Sequence, residues 1–257
     1  GGTESSNTIL QSAVLDLGCK HIISSPIEHH ATTHTVEHLA KAFGVKLSWV
    51  SILPTGHIDL ASLETLIQSN PEKTIVSLMH ANNEIGNMID LYEVGTLCKK
   101  YNAYFHSDTV QTVGHFPFNL RETPVDFITG AGHKFHGPKG IGILYVNENI
   151  KISPLVHGGA QERNMRAGTE NLYGIVGFAK ALEMATADYE NDSAYIKGLK
   201  MYMLEKLKKN IKRLILILLL LFVIMQKKDV LIFQAMQRSF IIIFLILQKQ
   251  RAQMMKS

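Results

Sequence analysis

The sequence predicts an α/β protein in which a mostly parallel sheet carries helices on both faces. Three observations predict it. Short apolar runs alternate along the chain with longer segments whose apolar residues recur at helical spacing. Several of those runs end in Gly, Ser, Asn, His or Asp, the residue types found where open α/β sheets build their sites. Finally, 257 residues with 46% apolar and 19% charged side chains suffice for one large or two smaller packed domains.

Taken in order, residues 8–17 read as a helix that Gly18 ends, and residues 20–24 as a short buried strand. Residues 29–43 have helical apolar spacing and Gly44 closes them. Residues 46–51 are a strand, followed by the turn Pro54-Thr55-Gly56. A helix over 60–68 precedes a strand over 74–79 that runs into His80-Ala81-Asn82-Asn83-Glu84. A helix over 90–101 and a strand over 103–106 follow, then strands over 125–128 and 140–146 around a Gly-, His- and Lys-rich turn. Residues 174–203 read as one long helix with a break near Asn191-Asp192. This β-α-β rhythm argues for parallel strands joined by crossover helices.

The formal charge of +4 and the lack of a basic stripe argue against a nucleic-acid partner. Cys19 and Cys98 lie far apart with no CxxC pairing, which fits a reducing, cytoplasmic setting. The chain opens without Met at Gly1-Gly2-Thr3-Glu4, and we read it as truncated at that end. After Asn210 the character changes. "LILILLLLFVIM" at 214–225 and "FIIIFLIL" at 240–247 are apolar but shorter than the roughly 20 residues of a membrane span. A membrane partner is therefore not expected, and residues 211–257 resemble an out-of-frame translation. We place a large domain at 1–190, the start of a connection to a second domain at 191–210, and an anomalous apolar tail at 211–257.

The chemistry concentrates in "FHSDTVQTVGHFPFNLRETPVDFITGAGHKFHGPKGIGILYV", residues 105–146. Lys134 lies in a Gly-rich turn at a strand end, where a lysine can reach into a cleft and form a Schiff base with a carbonyl cofactor. A lone lysine would read as solvated surface. Asp108, at the neighbouring strand end, is placed to hold a pyridinium nitrogen, as a pyridoxal-phosphate electron sink requires. By itself it would read as a turn residue or helix cap. Gln111 lies close enough to donate to the same cofactor's phenolate oxygen. Gly1-Gly2-Thr3 ahead of a helix offers small residues and a helix N-terminus to a phosphate, although it is also an ordinary capping sequence. His29, His30, His34 and His38 have helical spacing, but no Cys or carboxylate pattern supports a metal site.

The motifs "GGTESSN", "EHHA" at 28–31, "MHANNEIG" at 79–86, "HSDTVQTVG", "GHKFHGPKG" and "HGGAQERNMRAGTEN" occur in one order. Together they resemble the NifS/IscS-like cysteine desulfurases of the class V aminotransferase family, over residues 1 to about 210. The resemblance implies the large domain of the fold type I pyridoxal-phosphate transferases, with the small domain largely missing. It implies Lys134 as the Schiff-base lysine and proton carrier, and His29 as the group that stacks on the ring and assists proton transfer. Asp108 would pair with the ring nitrogen, and Asn83 and Gln111 would contact the cofactor. Gly2, Thr3 and His133 would bind its phosphate, while Thr169 would reach the phosphate of a partner subunit in a homodimer. Relatives often carry Ser at the position of Ala131, so one phosphate hydrogen bond is absent here.

The implied reaction converts L-cysteine to L-alanine and an enzyme persulfide, which supplies a sulfur acceptor or iron–sulfur scaffold protein. It needs a nucleophilic cysteine on a loop of the small domain. Residues 211–257 contain no Cys, and Cys19 and Cys98 read as buried packing thiols, so this chain as it stands is expected to be inactive or impaired. Selenocysteine lyase, another class V enzyme, or an inactive cofactor-binding relic are the alternative readings.

Overall fold

The computed structural model describes residues 1–117 and 119–225. Its strands are short and most are buried end to end, as a sheet covered on both faces demands. β1 (His21–Ser24), β2 (Lys46–Trp49), β3 (Thr74–Ser77), β4 (Tyr104–Asp108), β5 (Phe127–Ala131) and β6 (Gly142–Val146) form one six-stranded sheet. Their order is β2-β1-β3-β4-β5-β6. All neighbours run parallel except β6, which returns antiparallel beside β5 with Phe127 opposite Val146.

Alternation along each strand feeds two separate cores. Ile22, Ile75 and Phe127 pack with Ile9, Leu10, Ala13, Val36 and Leu39, which belong to α1 (Gly2–Leu15) and α2 (His30–Phe43). Ile23, Val76, Phe105 and Ile128 face the other way. They pack with Leu63 and Ile67 of α3 (Leu60–Gln68) and with Leu91, Val94 and Cys98 of α4 (Leu91–Lys100). Helices therefore cover both faces, as the sequence predicts.

Caps fix where the helices begin. Asp59 accepts from the N–H groups of Ala61 and Ser62, and Asp90 from those of Tyr92 and Glu93. Gly44 ends α2 in the left-handed conformation at φ 65°. Three expected boundaries need correction. α1 begins at Gly2, not residue 8, because the polar stretch "TESSN" is helical with Ser5 and Ser6 buried. β4 runs on to Asp108, since its polar end is paired on both sides by β3 and β5. The long helix breaks at Asp188, earlier than expected, into α6 (Leu172–Ala187) and α7 (Tyr189–Met225). The chain divides into a first unit, Gly1–Tyr189, and a second beginning at Glu190. No helix among the described residues is long and apolar enough to cross a membrane. The run at 240–247 lies outside those residues.

A third, smaller cluster anchors the turn after β5. Gly132–Phe135 forms a 3-10 turn, and Phe135 is buried edge-on against Phe178 of α6 with ring centroids 5.0 Å apart. Gly114 packs directly beneath it. Its φ is 80°, and a Cβ there would lie 2.7 Å from two atoms of Phe135. Gly114→Ala is therefore expected to lower stability by about 1–3 kcal/mol and to displace the turn. A reduced urea midpoint would register the first effect.

Polar side chains inside the sheet are paired sideways. Ser24 donates to the Ser77 carbonyl at 3.0 Å, and the Ser77 hydroxyl lies 2.8 Å from Nδ1 of His106. His106 is fully buried with Nε2 unpartnered, and burial pushes its pKa from 6.5 to about 3. His21, buried against Ser48 and Thr74, is pushed down to about 4, first by burial and then by the Lys46 charge. The unfolded chain therefore binds more protons than the native one below pH 6.5. The stability each group contributes is intact above 6.5 and is lost as pH falls toward about 3 for His106, at about 1.4 kcal/mol per pH unit. Urea midpoints should drop on acidification through this window, and less steeply in His106→Asn.

Candidate active site

The sheet order places four chain segments at one edge. β1, β3, β4 and β5 are adjacent and parallel, so their carboxyl ends deliver residues 25–29, 80–84, 108–111 and 132–135 to neighbouring positions. The order reverses between β1 and β3. Such a switch point, at the carboxyl ends of the strands, is where open α/β sheets bind ligands. α1 reaches the same edge by close approach. A Cβ on Gly2 would lie 2.9 Å from Cγ2 of Val110 and 3.7 Å from Cβ of Ala131, so only glycine lets the helix start against the ends of β4 and β5.

Asp108 is the centre of this edge. It is 5% exposed, and its Oδ1 accepts the Val110 N–H at 2.9 Å. Burial raises its pKa, while the Val110 hydrogen bond and the charges of His29 and Lys134 pull it down. Those two side chains, from the β1 and β5 ends, thus lie near enough to act on one buried carboxylate. Thr109 locks the strand end by donating from Oγ1 to the Thr129 carbonyl at 2.8 Å.

His29 is the N-cap of α2, with Nδ1 accepting from the Ala31 N–H at 3.1 Å. That bond leaves Nε2 to carry the proton of the neutral ring. Lys134 has an exposed side chain, and its carbonyl accepts from Nε2 of His115 at 2.8 Å. With Phe135 buried below, the lysine stands on a fixed turn. His133 is exposed beside it, and Gln111 is half-buried beyond Asp108. Asn83 is exposed and donates to Glu84 at 2.9 Å, whereas its neighbour Asn82 is buried and builds the loop. Asn82 donates to the Ile27 carbonyl at 2.6 Å and accepts from the N–H groups of Glu84 and Ile85.

α1 has no side-chain cap at Gly1, so its first-turn N–H groups at Gly2 and Thr3 are available to an anion. Glu4 in that turn is paired with Arg166, with Nε to Oε1 at 2.8 Å, which holds its carboxyl below the usual range. The same pair ties the 157–171 loop to α1. Gly168 in that loop donates to Gln161 at 3.0 Å, and Thr169 is exposed on it. The segment Gln161–Asn164, α5, holds Glu162 and Arg163 in left-handed conformation, so it is a tight turn and not a regular helix.

Sequence reasoning assigned no role to Glu28, His80, Asn82 or His115. All four lie in or beside the quoted motifs, but a motif does not say which of two adjacent polar residues turns inward. Among the described residues, no three His, Cys, Asp or Glu side chains form a metal site. Cys19 and Cys98 are fully buried, and burial pushes both thiols up to about 12. Neither is a thiolate near neutral pH.

The donor set fits an anionic pyridine aldehyde. A helix N-terminus would suit a phosphate, a buried carboxylate a ring nitrogen, and an accessible lysine a carbonyl carbon.

Comparison with known proteins agrees. The aminotransferase class-V family model matches residues 1–218. Cysteine desulfurase IscS of Dictyoglomus turgidum is 40% identical over 213 residues, which is 82% of this chain and 53% of that protein. The solved structure of a NifS-like protein superposes with a TM-score of 0.77 at 38% identity, covering 81% of this chain and 57% of the other. A structure described as SspA in complex with cysteine superposes with a TM-score of 0.67 at 30% identity, covering 71% and 53%. The chain spans about half the length of the curated relatives it matches. With the family model covering most of its length and the same strand ends carrying the motifs, this chain belongs to the aminotransferase class-V family.

Proposed function

We propose that these residues form the cofactor-binding part of a pyridoxal 5'-phosphate-dependent cysteine desulfurase. The whole protein would take L-cysteine to L-alanine and leave the sulfur as an enzyme persulfide for iron–sulfur cluster assembly, in the cytoplasm. One observation carries the reading. Asp108 is a buried carboxylate on which the charges of His29 and Lys134 both act, at the edge where α1 presents its N-terminus. The similarity to proteins named cysteine desulfurase supports cysteine as the substrate within the family.

When bound, the cofactor supplies an electron sink for the carbanion formed at the substrate's Cα. The protein supplies position and protons. Asp108 accepts the proton-bearing ring nitrogen and, being buried, holds it without competition from water. Lys134 is the residue that would hold the cofactor's carbonyl carbon through Nζ, and its amine would serve as the base that moves the Cα proton. His29 would lie against the ring and offer Nε2 for proton transfer. Asn83 and Gln111 orient the ring's phenolic oxygen. Gly2 and Thr3 give backbone N–H groups to the phosphate, and His133 adds its ring. Thr169 extends to the phosphate of a partner subunit, which makes the assembly a homodimer.

Sulfur transfer needs a thiolate, and the two cysteines of this chain are buried thiols. We therefore assign residues 1–190 to the cofactor-binding domain and 191–210 to the connection toward the domain that carries the nucleophile. Residues 211–257 have no part in the chemistry. The same burial favours a second reading of this chain alone, as a cofactor-binding protein that does not transfer sulfur.

Purified chain mixed with pyridoxal phosphate should turn yellow, and borohydride should fix the cofactor covalently. Lys134→Ala should lose all of the fixed cofactor. L-cysteine should release no sulfide from either protein. Cofactor fixed to Lys134→Ala at the wild-type level would overturn the assignment.

A further inference from the structure

Glu28 stands between Ser25 and His29 on the connection from β1 to α2, at the edge already described. Its side chain is 8% exposed. Ser25 donates from Oγ to Oε1 at 2.6 Å, and the Met79 N–H pulls weakly on the carboxyl without completing a bond to Oε2. Oε2 is buried with no hydrogen-bond partner. Glu28 is one of the residues lining a cavity of about 20 Å³, together with Ser25, Met79, Asn82, His57 and Asn87 among others, which is room for one water.

A charged carboxylate with one oxygen unpaired in such a place is too costly, and the carboxyl takes up a proton instead. The Asp108 charge lies near enough to add to that cost, and burial together with Asp108 pushes the pKa of Glu28 up to about 8. The partners of each carboxyl decide where a single proton resides. Asp108 receives the Val110 N–H and the charges of His29 and Lys134. Glu28 receives the Ser25 hydroxyl, while His57 lines its cavity from the β2–α3 connection and the β3–α4 connection contributes only the uncharged Met79, Asn82, Asn87, Met88 and Ile89 there. The groups that favour a charged carboxylate thus gather at Asp108. Because Ser25 donates to Oε1, that atom is the carbonyl oxygen and Oε2, buried without a partner, carries the hydrogen.

We propose that, of the pair Glu28 and Asp108, Glu28 alone is protonated, on Oε2, which makes Glu28 a positioning residue that leaves Asp108 the sole charged carboxylate facing the cofactor ring. The second half of this statement rests on the reading of the site as a pyridoxal-phosphate site. Glutamine reproduces the neutral acid in shape and charge. The backbone that Glu28 steadies also sets His29, its immediate neighbour and the cap of α2.

The infrared spectrum of the full chain at neutral pH tests the proton directly. A carboxylic-acid C=O band should be present in the wild type, vanish in Glu28→Gln, and disappear from the wild type as pH rises through about 8. Its absence from the wild type, or its survival in Glu28→Gln, would overturn the proposal. The stability of Glu28→Gln relative to wild type should also grow as pH rises from 4.5 to about 8, because the raised pKa makes the native wild-type protein lose stability across that window. If Glu28→Gln does not fold, Ser25→Ala serves. Loss of its donor should move disappearance of the band to higher pH, and an unmoved band would count against the pair. In the cofactor-loaded chain, the yellow absorbance of the wild type should show an inflection near pH 8 that Glu28→Gln lacks. Identical titrations would overturn the positioning role. A chain that takes up no cofactor would instead defeat the reading of the site, and the infrared band would still decide where the proton lies.

Discussion

The structure depends on one constraint, the burial of a parallel sheet on both faces. With α1 and α2 over one face and α3 and α4 over the other, the interiors of β1, β3, β4 and β5 are closed to water, while β2 and β6 at the sheet edges are partly exposed. Side chains there are either apolar or bonded to neighbours within the sheet. Ser24, Ser77 and His106 form such a seam across β1, β3 and β4. The same covering makes the strand ends the natural place for charge. Asp108 is the last residue of β4 and Lys134 follows the last residue of β5. Strand length therefore sets where the chemistry can be.

Close approach then brings the remaining parts together. Gly2 lets α1 begin against Val110 and Ala131, so its free N–H groups arrive at the ends of β4 and β5 and not a side chain's width away. Gly114 lets Phe135 settle under the lysine turn, and His115 next to it donates to the Lys134 carbonyl. One loop, residues 109–116, thus supports Asp108 on one side and Lys134 on the other. Both residues answer to the same packing, which explains how a lysine with an exposed side chain keeps a fixed origin.

Periodicity and caps were legible in the sequence where the signal is local. Asp59 and Asp90 mark helix starts because a carboxylate binds the free N–H groups of the first turn, and Gly44 marks an end because the left-handed conformation suits it. Local signals misled at α1 and β4. "TESSN" looks like a loop by composition, yet Ser6 is buried with its hydroxyl 3.4 Å from that of Thr129. "HSD" looks like the end of a strand, yet tertiary pairing carries β4 through it. At the site, residue types pointed to a lysine, an aspartate and a helix terminus. Burial is what the sequence lacked. It separates Asn82, which builds the loop, from Asn83, which faces solvent, and it sets Glu28 apart from the histidines that follow it.

Burial also divides the labour of the proposed reaction. A thiol becomes a nucleophile when cations or a helix terminus stabilise its thiolate, and Cys19 and Cys98 sit in apolar cores that do the opposite. Cys19 packs with α1 and α2, Cys98 with α3 and α4, each part of what holds the sheet together. Exposing either to reach a substrate would dismantle the layer it belongs to. On the proposed reading, residues 1–190 would hold a cofactor and move protons on a rigid sheet edge, while sulfur transfer would need a thiolate on a segment free to move. A mobile nucleophile and a buried electron sink have opposite structural requirements, and placing them in different domains satisfies both.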